Sequence, residues 1–450
     1  MLVRRGSRNA GLAACAALLF ATTACGSDEG KQSAASPVRL YGTDGNMQNS
    51  FVKEFDGQTK LLDGMKGTIP LTPLSEDFKD RVTSQDPGLT DFLYSAEVYD
   101  AIAVSALAAQ LAGSTAPAEI AKQINGVTTG GERCDSIKAC LPIARTGTDI
   151  EYRGVSLNRG GFTEAGEPST ASYATMHFGE QAKLEDGKTE FVGAGDESAA
   201  STQAPPAPKK QVGGKTDRRD GSPLKIGGLL PQTGDLSLAY PPMAAGAKLA
   251  MREINDAGGV LGEPAIWVDG DDGTNPDVAK ATVAEHVAAG VHVIIGAGAS
   301  GVSRAVLPDV VAAGLVLFSP SNTDAGLTTI DDQGRYFRTA PSDILQGRAL
   351  ADVIMRDGPQ KIAIVARKDS YGEGLQGNVR AELERAGIAA DRLKLLTYDP
   401  PAKPDSPPVD FSSGAQEIKQ FGADAVLVIG FGESAQVIKA LDSAGVQIRH

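Results

Sequence analysis

The chain has 450 residues, 41% of them hydrophobic and 53 of them glycine, which suits an α/β protein of two or three domains with ample length for buried cores. Its formal net charge is −13, and residues 1–24 hold Arg4, Arg5 and Arg8 with no acid, so the remainder is more acidic still. That balance, with no basic cluster, argues against nucleic acid as a partner.

In chain order, the Arg-rich start leads into the apolar Gly11–Ala21 and then Thr22-Thr23-Ala24-Cys25, the layout of a secretion signal. The apolar run is too short to span a bilayer. A small residue before Cys25, followed by Gly-Ser-Asp-Glu-Gly, resembles a bacterial lipoprotein cleavage site. The resemblance implies a signal peptide over 1–24, an acylated Cys25 as the mature N-terminus, and a polar tether over 25–37. The protein would then be extracytoplasmic and held to the membrane only by its lipid. Thr22 stands where such sites usually carry Leu. Leu12-Ala13-Ala14-Cys15 fits the residue pattern better but lies too close to Arg8 to leave an apolar region. The other reading is ordinary secretion with Cys25 a plain thiol.

From Val38 the pattern predicts a strand (VRLYGTDGN), an apolar stretch over Leu61–Thr72 and a helix over Ser75–Ser84. A long amphipathic helix follows over Asp91–Gly113, a shorter one over Ala116–Asn125, and strands over Glu151–Ser156 and Ala171–Phe178. Cys134 and Cys140 bracket five residues, a loop that can close as a disulfide in an oxidising compartment. Two sulfurs without a nearby His fall short of a zinc site, so no metal is expected. Residues 196–222 are polar, Pro-containing and without periodicity, which reads as a linker. Its Gly214-Lys215-Thr216 imitates a phosphate loop but lacks the earlier glycine and a preceding strand.

Beyond the linker, strands and helices alternate: strands at Leu224–Leu230, Ala265–Asp269, Val291–Ile295, Leu315–Ser319, Lys361–Ala366, Leu393–Thr397 and Ala425–Ile429. The helices between and after them are Pro242–Ala257, Asp277–Ala289, Arg304–Ala313, Arg348–Asp357, Gly374–Ala386, Gly414–Phe421 and Glu433–Ala444. Such βα units predict doubly wound parallel sheets. Between Ile295 and Arg304, the small-residue turn Gly296–Ser303 leads into a helix, exposing backbone N–H groups and the positive helix end to an anion. Ser300 and Ser303 add hydroxyls, and the neighbouring strand ends in Ser321-Asn322-Thr323. Two such turns at adjacent strand ends mark the ligand crevice of an open α/β sheet. Gly296, Gly298 and Gly301 also satisfy a dinucleotide fingerprint, with Asp324 downstream, but that acid follows a serine-rich turn and no second mononucleotide half is evident. Plain tight-turn packing is the third reading.

Joined in the order 223–450 then 38–195, the chain resembles the substrate-binding proteins of ABC importers for branched-chain amino acids, of the type I periplasmic binding protein fold. The resemblance rests on IGGLLPQTG (226–234), GAKLAMREINDAGGVLG (246–262), Ile295–Ser303, Ser319–Thr323, KDSYGEGL (368–375) and YGTDG (41–45), with Tyr94–Ile102 and Phe162–Ser172. It implies a two-lobed α/β protein, each lobe a doubly wound parallel sheet, in circularly permuted order. Lobe I would be 223–340 with 69–153, and lobe II 343–450 with 38–67 and 155–195. Crossovers would lie near Ala340–Ser342, Gly67–Ile69 and Gly154, with residues 196–222 bridging the ancestral termini. The rival account is an artefact of the gene or a piece of a tandem array.

The resemblance also implies site roles. Ser300, the backbone of Ser321, and Thr323 would hold an α-carboxylate, while Asp44, with help from Tyr371, would take the ammonium. Asp44 stands where the family more often has Glu, one methylene longer. Thr-Asp-Gly is equally a good turn, and Tyr371 equally a packing residue. Tyr240 and Tyr94 align with pocket walls or serve as core aromatics. The implied function is capture of an amino acid or similar zwitterion for ABC permease subunits, with no cofactor. Alternatives are a ligand-sensing receptor module of the same fold, or a binder of an amide, urea or aromatic acid. The four histidines adjoin no nucleophile motif, Asp271-Asp272 reads as a solvated turn, and no catalytic residue is assigned.

Overall fold

A computed structural model of the protein describes residues 37–209, 222–402 and 406–449. The expected signal peptide, Cys25, the expected tether up to residue 36, residues 210–221 with the Gly-Lys-Thr imitation, and His450 lie outside the described residues.

In chain order the first half holds β1 (Arg39–Gly42), β2 (Lys66–Pro70), α1 (Glu76–Thr83), α2 (Ser95–Ala112), α3 (Pro117–Val127), β3 (Glu132–Cys134), α4 (Ile137–Arg145), β4 (Ile150–Tyr152), β5 (Thr170–His177) and β6 (Glu190–Gly195). The second half runs β7 (Lys225–Leu229), α5 (Tyr240–Asp256), β8 (Ile266–Val268), α6 (Pro276–Ala288), β9 (Val293–Gly296), α7 (Ser300–Ala312), β10 (Val316–Ser319) and β11 (Tyr336–Arg338). It continues with α8 (Asp343–Arg356), β12 (Ile362–Arg367), α9 (Ser370–Arg385), β13 (Leu393–Tyr398), α10 (Ser412–Phe421), β14 (Ala425–Ile429) and α11 (Ala435–Ser443).

Two large sheets organise these elements. The smaller runs β11-β10-β9-β7-β8, all parallel. The larger runs β13-β12-β14-β1-β2-β5-β6, parallel through β2 and antiparallel beyond it. Strands such as β12 (IAIVAR) and β14 (AVLVI) are buried at every residue, because helices cover both faces and leave no solvent side to alternate toward. The result is the two-lobed α/β architecture implied by the sequence.

β1 sits in the middle of the larger sheet, between β14 and β2. Just before it, Val38 bridges Ile448 in parallel: Val38 N–H donates to Gln447 O at 2.6 Å, and Arg449 N–H to Val38 O at 2.8 Å. The first and last described segments of the chain are thus sheet neighbours.

Some elements differ from expectation. α2 is buried on every side, so it is a core helix and not an amphipathic one. Its Ala and Ser side chains let α5 come close: a Cβ on Gly246 would lie 2.3 Å from the Ser95 carbonyl oxygen. Helices α7, α8 and α9 start about a turn earlier than the periodicity predicts. Their first turns hold Gly, Ser and Asp, residues that propensity assigns to loops. For α9 the cap supplies the reason, since Asp369 Oδ1 accepts from Gly372 N–H at 2.8 Å. β3, α4, β6 and β11 carry too little pattern to stand out. β3 pairs only with β4, and α4 contains Pro142 yet is held by a Cys134–Cys140 disulfide. The pairing of β2 runs on to Pro70, so the passage toward α1 begins beyond the expected Gly67–Ile69. Of the linker, residues 201–209 pack against α2, α3 and residues 162–164, where Ser201 N–H donates to Phe162 O. Lys209 N–H donates to Leu111 O, and Gln123 Nε2 to Pro206 O.

Candidate ligand site between the two lobes

The site residues leave the carboxyl ends of parallel strands, where loops can vary without disturbing a sheet. On the smaller sheet, β9 and β10 end in two turns that hold each other. The Ser321 hydroxyl donates to Gly298 O at 2.8 Å, and Asn322 Nδ2 donates to both Ala297 O and Gly298 O at 3.0 Å. Ser319 Oγ donates to Ala297 O, and Ser303 Oγ accepts from Ala297 N–H. Ser303 Oγ, counted in the sequence as a ligand donor, is thus engaged as an acceptor inside the turn. Ser300 is buried at the first position of α7, where helix geometry leaves N–H groups unpaired, and its Oγ accepts from Asp324 N–H at 3.3 Å. Thr323 is buried and its hydroxyl has no hydrogen-bond partner.

Arg338, at the end of β11, stiffens this loop from beneath. Its Nη1 donates to Asn322 O at 3.2 Å and Asp324 O at 2.9 Å, while its other nitrogens pair with Glu167 and the Thr328 hydroxyl. Asp272 is fully buried and accepts from Gly298 N–H at 2.6 Å. It is no solvated turn acid as the sequence suggested: burial pushes its carboxyl up to about 7.

On the larger sheet, the Thr43–Asn46 turn after β1 presents Asp44. Gly45 lets that turn press on the end of β14, where a Cβ would meet Gly430 O at 2.3 Å. Asp44 accepts from the Tyr371 hydroxyl at 2.8 Å, Gln346 Nε2 at 2.9 Å and the Tyr94 hydroxyl at 2.8 Å. Burial raises its pKa, opposed by those three bonds and one from its own backbone. Burial also raises both tyrosines well above their ordinary value, so each phenol keeps its proton to donate. Tyr94 precedes α2 with φ +58°, a left-handed conformation costly for an aromatic residue and offset here by the bond to Asp44. Tyr371 stacks on Phe431, and the Arg367 guanidinium lies 3.9 Å from that ring centre.

The lobes meet around this core. Gly432 N–H donates to Asp235 O at 3.0 Å and Arg367 approaches Asp235 at 3.7 Å across the junction, while Glu433, on the same side as Arg367, binds its Nη1 at 2.7 Å. The start of α9 faces that of α7: a Cβ on Gly301 would stand 3.8 Å from Ser370 Oγ. The clamp is closed in this structure.

The structure thus gathers Asp44, Tyr94 and Tyr371 into one knot, and Ser300, Ser321 and Thr323 into one turn pair. Tyr240 is half-buried, and the acids that bear on its hydroxyl are Asp269 and Asp271, not Asp44. Gln346, Arg338 and Asp343 escaped sequence reasoning. Among the described residues no group of acids, His and Cys is placed to hold a metal.

The architecture and the crevice define a two-lobed ligand-binding α/β protein. The profile of the periplasmic binding protein family matches residues 223–449, and the chain belongs to that family. The Leu/Ile/Val-binding protein homolog 3 of Brucella melitensis is 27% identical over 50% of this chain and 59% of its own length. The Leu/Ile/Val-binding protein BraC3 of Rhizobium johnstonii is 30% identical over 46% of this chain and 54% of its own. The chain thus spans less than two thirds of these relatives. Among solved structures, the branched-chain amino acid transporter substrate binding protein LivJ of Streptococcus pneumoniae, in complex with isoleucine, is 25% identical, with a TM-score of 0.42 over 50% of this chain and 63% of that one. A solute binding protein of an R. palustris ABC transporter, in complex with benzoate, is 24% identical, with a TM-score of 0.40 over 50% and 61%.

Proposed function

We propose that the protein is an extracytoplasmic solute-binding component of an ABC importer, capturing an amino acid or similar small zwitterion between its lobes. The observation that carries this reading is the pairing of two chemistries across one buried crevice. The α7 start with Ser300 and Thr323 offers N–H and O–H groups to a carboxylate, opposite the acid-and-tyrosine knot at Asp44 for an ammonium. Closure buries both ends of such a ligand, and the ligand favours the closed state through contacts made only there. Acylation of Cys25 and delivery to permease subunits complete the reading.

Thermal melting of the full chain against a panel of amino acids and short amides tests it. A true ligand at 100 times its dissociation constant adds about 2.7 kcal/mol, a shift of several degrees. A cooperative melt that no zwitterion moves would sink the amino acid assignment.

We read the order of segments as a circular permutation of the family fold. In this reading residues 37–195 would stand for the part of the relatives' length that the match over 223–449 leaves out, and the sheet-neighbour pairing of Val38 with Ile448 supports it. A chain relinked as 223–450 followed by 37–195 should melt within about 5 °C of the native order, since cuts at surface segments are tolerated. Failure of that chain to fold would count against the permutation.

A further inference from the structure

A second set of acids lies where the loop between β7 and α5 meets the end of β14. A cavity of about 200 Å³ there is lined by Asp235 from the smaller sheet's side and by Glu433 and Glu54 from the larger's. Pro401, Pro408 and Val409, from the loop after β13, line it as well. That loop reaches across the lobe junction, where its Ala402 O accepts from Asn275 Nδ2 at 3.0 Å. Among the described residues, no Lys, Arg or His lines the cavity.

The Glu433 side chain is 4% exposed, and its two oxygens differ. Oε1 accepts from Arg367 Nη1 at 2.7 Å, the Tyr398 hydroxyl at 2.8 Å and Phe431 N–H at 3.2 Å. Oε2 is buried with no hydrogen-bond partner. Asp235 Oδ2 stands 3.7 Å from Arg367 Nη2, too far for a hydrogen bond. The neighbouring cations are engaged elsewhere: Arg367 with Asp369 at 2.6 Å and Glu433, and Lys439, near Glu54, with Asp56 at 2.9 Å. Burial and the charge of Glu433 raise the pKa of Asp235, and burial raises that of Glu54. Closure thus presses acids from both lobes together, one of them with a donorless buried oxygen. A cation seated between them relieves both costs. No group of acids among the described residues is placed to hold a metal, so the cation that fits is organic. The cavity adjoins the crevice. Gly432, in its wall, follows Phe431, on whose ring Tyr371 stacks while holding Asp44.

We infer that this cavity takes the distal alkylammonium group of the ligand, between Asp235 and Glu433 Oε2, and that the ligand is an amino acid with a basic side chain. The inference rests on the proposed function and narrows it. Ser300 and Thr323 keep the carboxylate and Asp44 the α-ammonium, while the side chain runs past Phe431 to the second pair of acids. Because Asp235 and Glu433 belong to different lobes, a cation between them makes both contacts only in the closed state and therefore favours closure. An aliphatic side chain of equal length leaves Glu433 Oε2 without a donor, and this difference sets the preference.

The test is calorimetric titration of the full chain at pH 7 with L-lysine, with L-norleucine, which has the same carbon chain without the terminal ammonium, and with n-butylamine. Native protein should bind lysine at least about tenfold more tightly than norleucine. In Asp235→Asn that preference should shrink to less than about threefold, and Glu433→Gln takes its place if Asp235→Asn does not melt cooperatively. Norleucine binding as tightly as lysine, or a preference that survives in the folded variant, would overturn the inference and leave the amino acid reading standing. If no amino acid binds, the proposed function falls, and butylamine decides for the cavity. Its binding to the native chain and weaker binding to the variant uphold the cation site. No binding to the native chain, or equal binding to both, removes it.

Discussion

At the residue scale, the acids buried near the lobe junction differ in how they are satisfied, and this decides what each does. Asp44 accepts from three side chains, the Asp343 oxygens have no partner in bonding geometry, and Glu97 leaves Oε2 unpartnered inside α2. Burial pushes the Glu97 carboxyl up to about 8, helped by the neighbouring Asp100 charge and opposed by a backbone hydrogen bond. Its folded pKa lies above its unfolded value, so its contribution to stability is complete below about pH 4.5 and is lost as pH rises through 8. The melting temperature of the native chain should fall between pH 6 and 9, and Glu97→Gln should remove much of that fall. An unchanged slope in the variant would show that Glu97 is not the source. None of this was legible in the residues alone: Asp44 was singled out by the resemblance, but its partner Gln346 lies 302 positions away. Asp343 drew no reading from the sequence. Only closure of the fold sets it opposite Asp44.

At the element scale, periodicity located the central strands well, because continuous burial in a parallel sheet produces short uninterrupted apolar runs. It missed β6, whose first four residues face solvent, and β11, a three-residue edge strand. It also misjudged α2, whose Ala-rich composition hides that no face is exposed. The passage after β4 is anchored by Asp100, again on α2. Asp100 accepts from the Tyr152 hydroxyl at 2.7 Å, Val155 N–H at 3.1 Å, Ser156 N–H and Oγ at 2.7 Å, and Leu157 N–H at 3.0 Å. One carboxyl therefore fixes the strand-to-strand connection at Gly154 through five bonds. Asp100→Ala strands those donors in a buried setting and should cost about 2–4 kcal/mol in urea denaturation. A loss under about 0.5 kcal/mol would mean that the connection is held by packing alone.

At the scale of the whole molecule, the two halves of the chain are mutually incomplete. The larger sheet draws β1, β2, β5 and β6 from before the linker and β12, β13 and β14 from after it. The proposed ligand crevice is likewise divided, with Asp44 and Tyr94 from the first half and Ser300, Thr323 and Tyr371 from the second. The resemblance made this order readable, since YGTDG and KDSYGEGL are far apart in the chain yet converge through Tyr371 and Asp44. The central claim is that one zwitterion is held by both halves at once. The most direct measurement is calorimetric titration of the full chain with the amino acid that most raises its melting temperature, repeated for Asp44→Ala and Ser300→Ala. The account predicts one ligand per chain, with each substitution costing at least about 2 kcal/mol of binding while the protein still melts cooperatively. Unchanged affinity in either folded variant would place the ligand elsewhere and contradict the account.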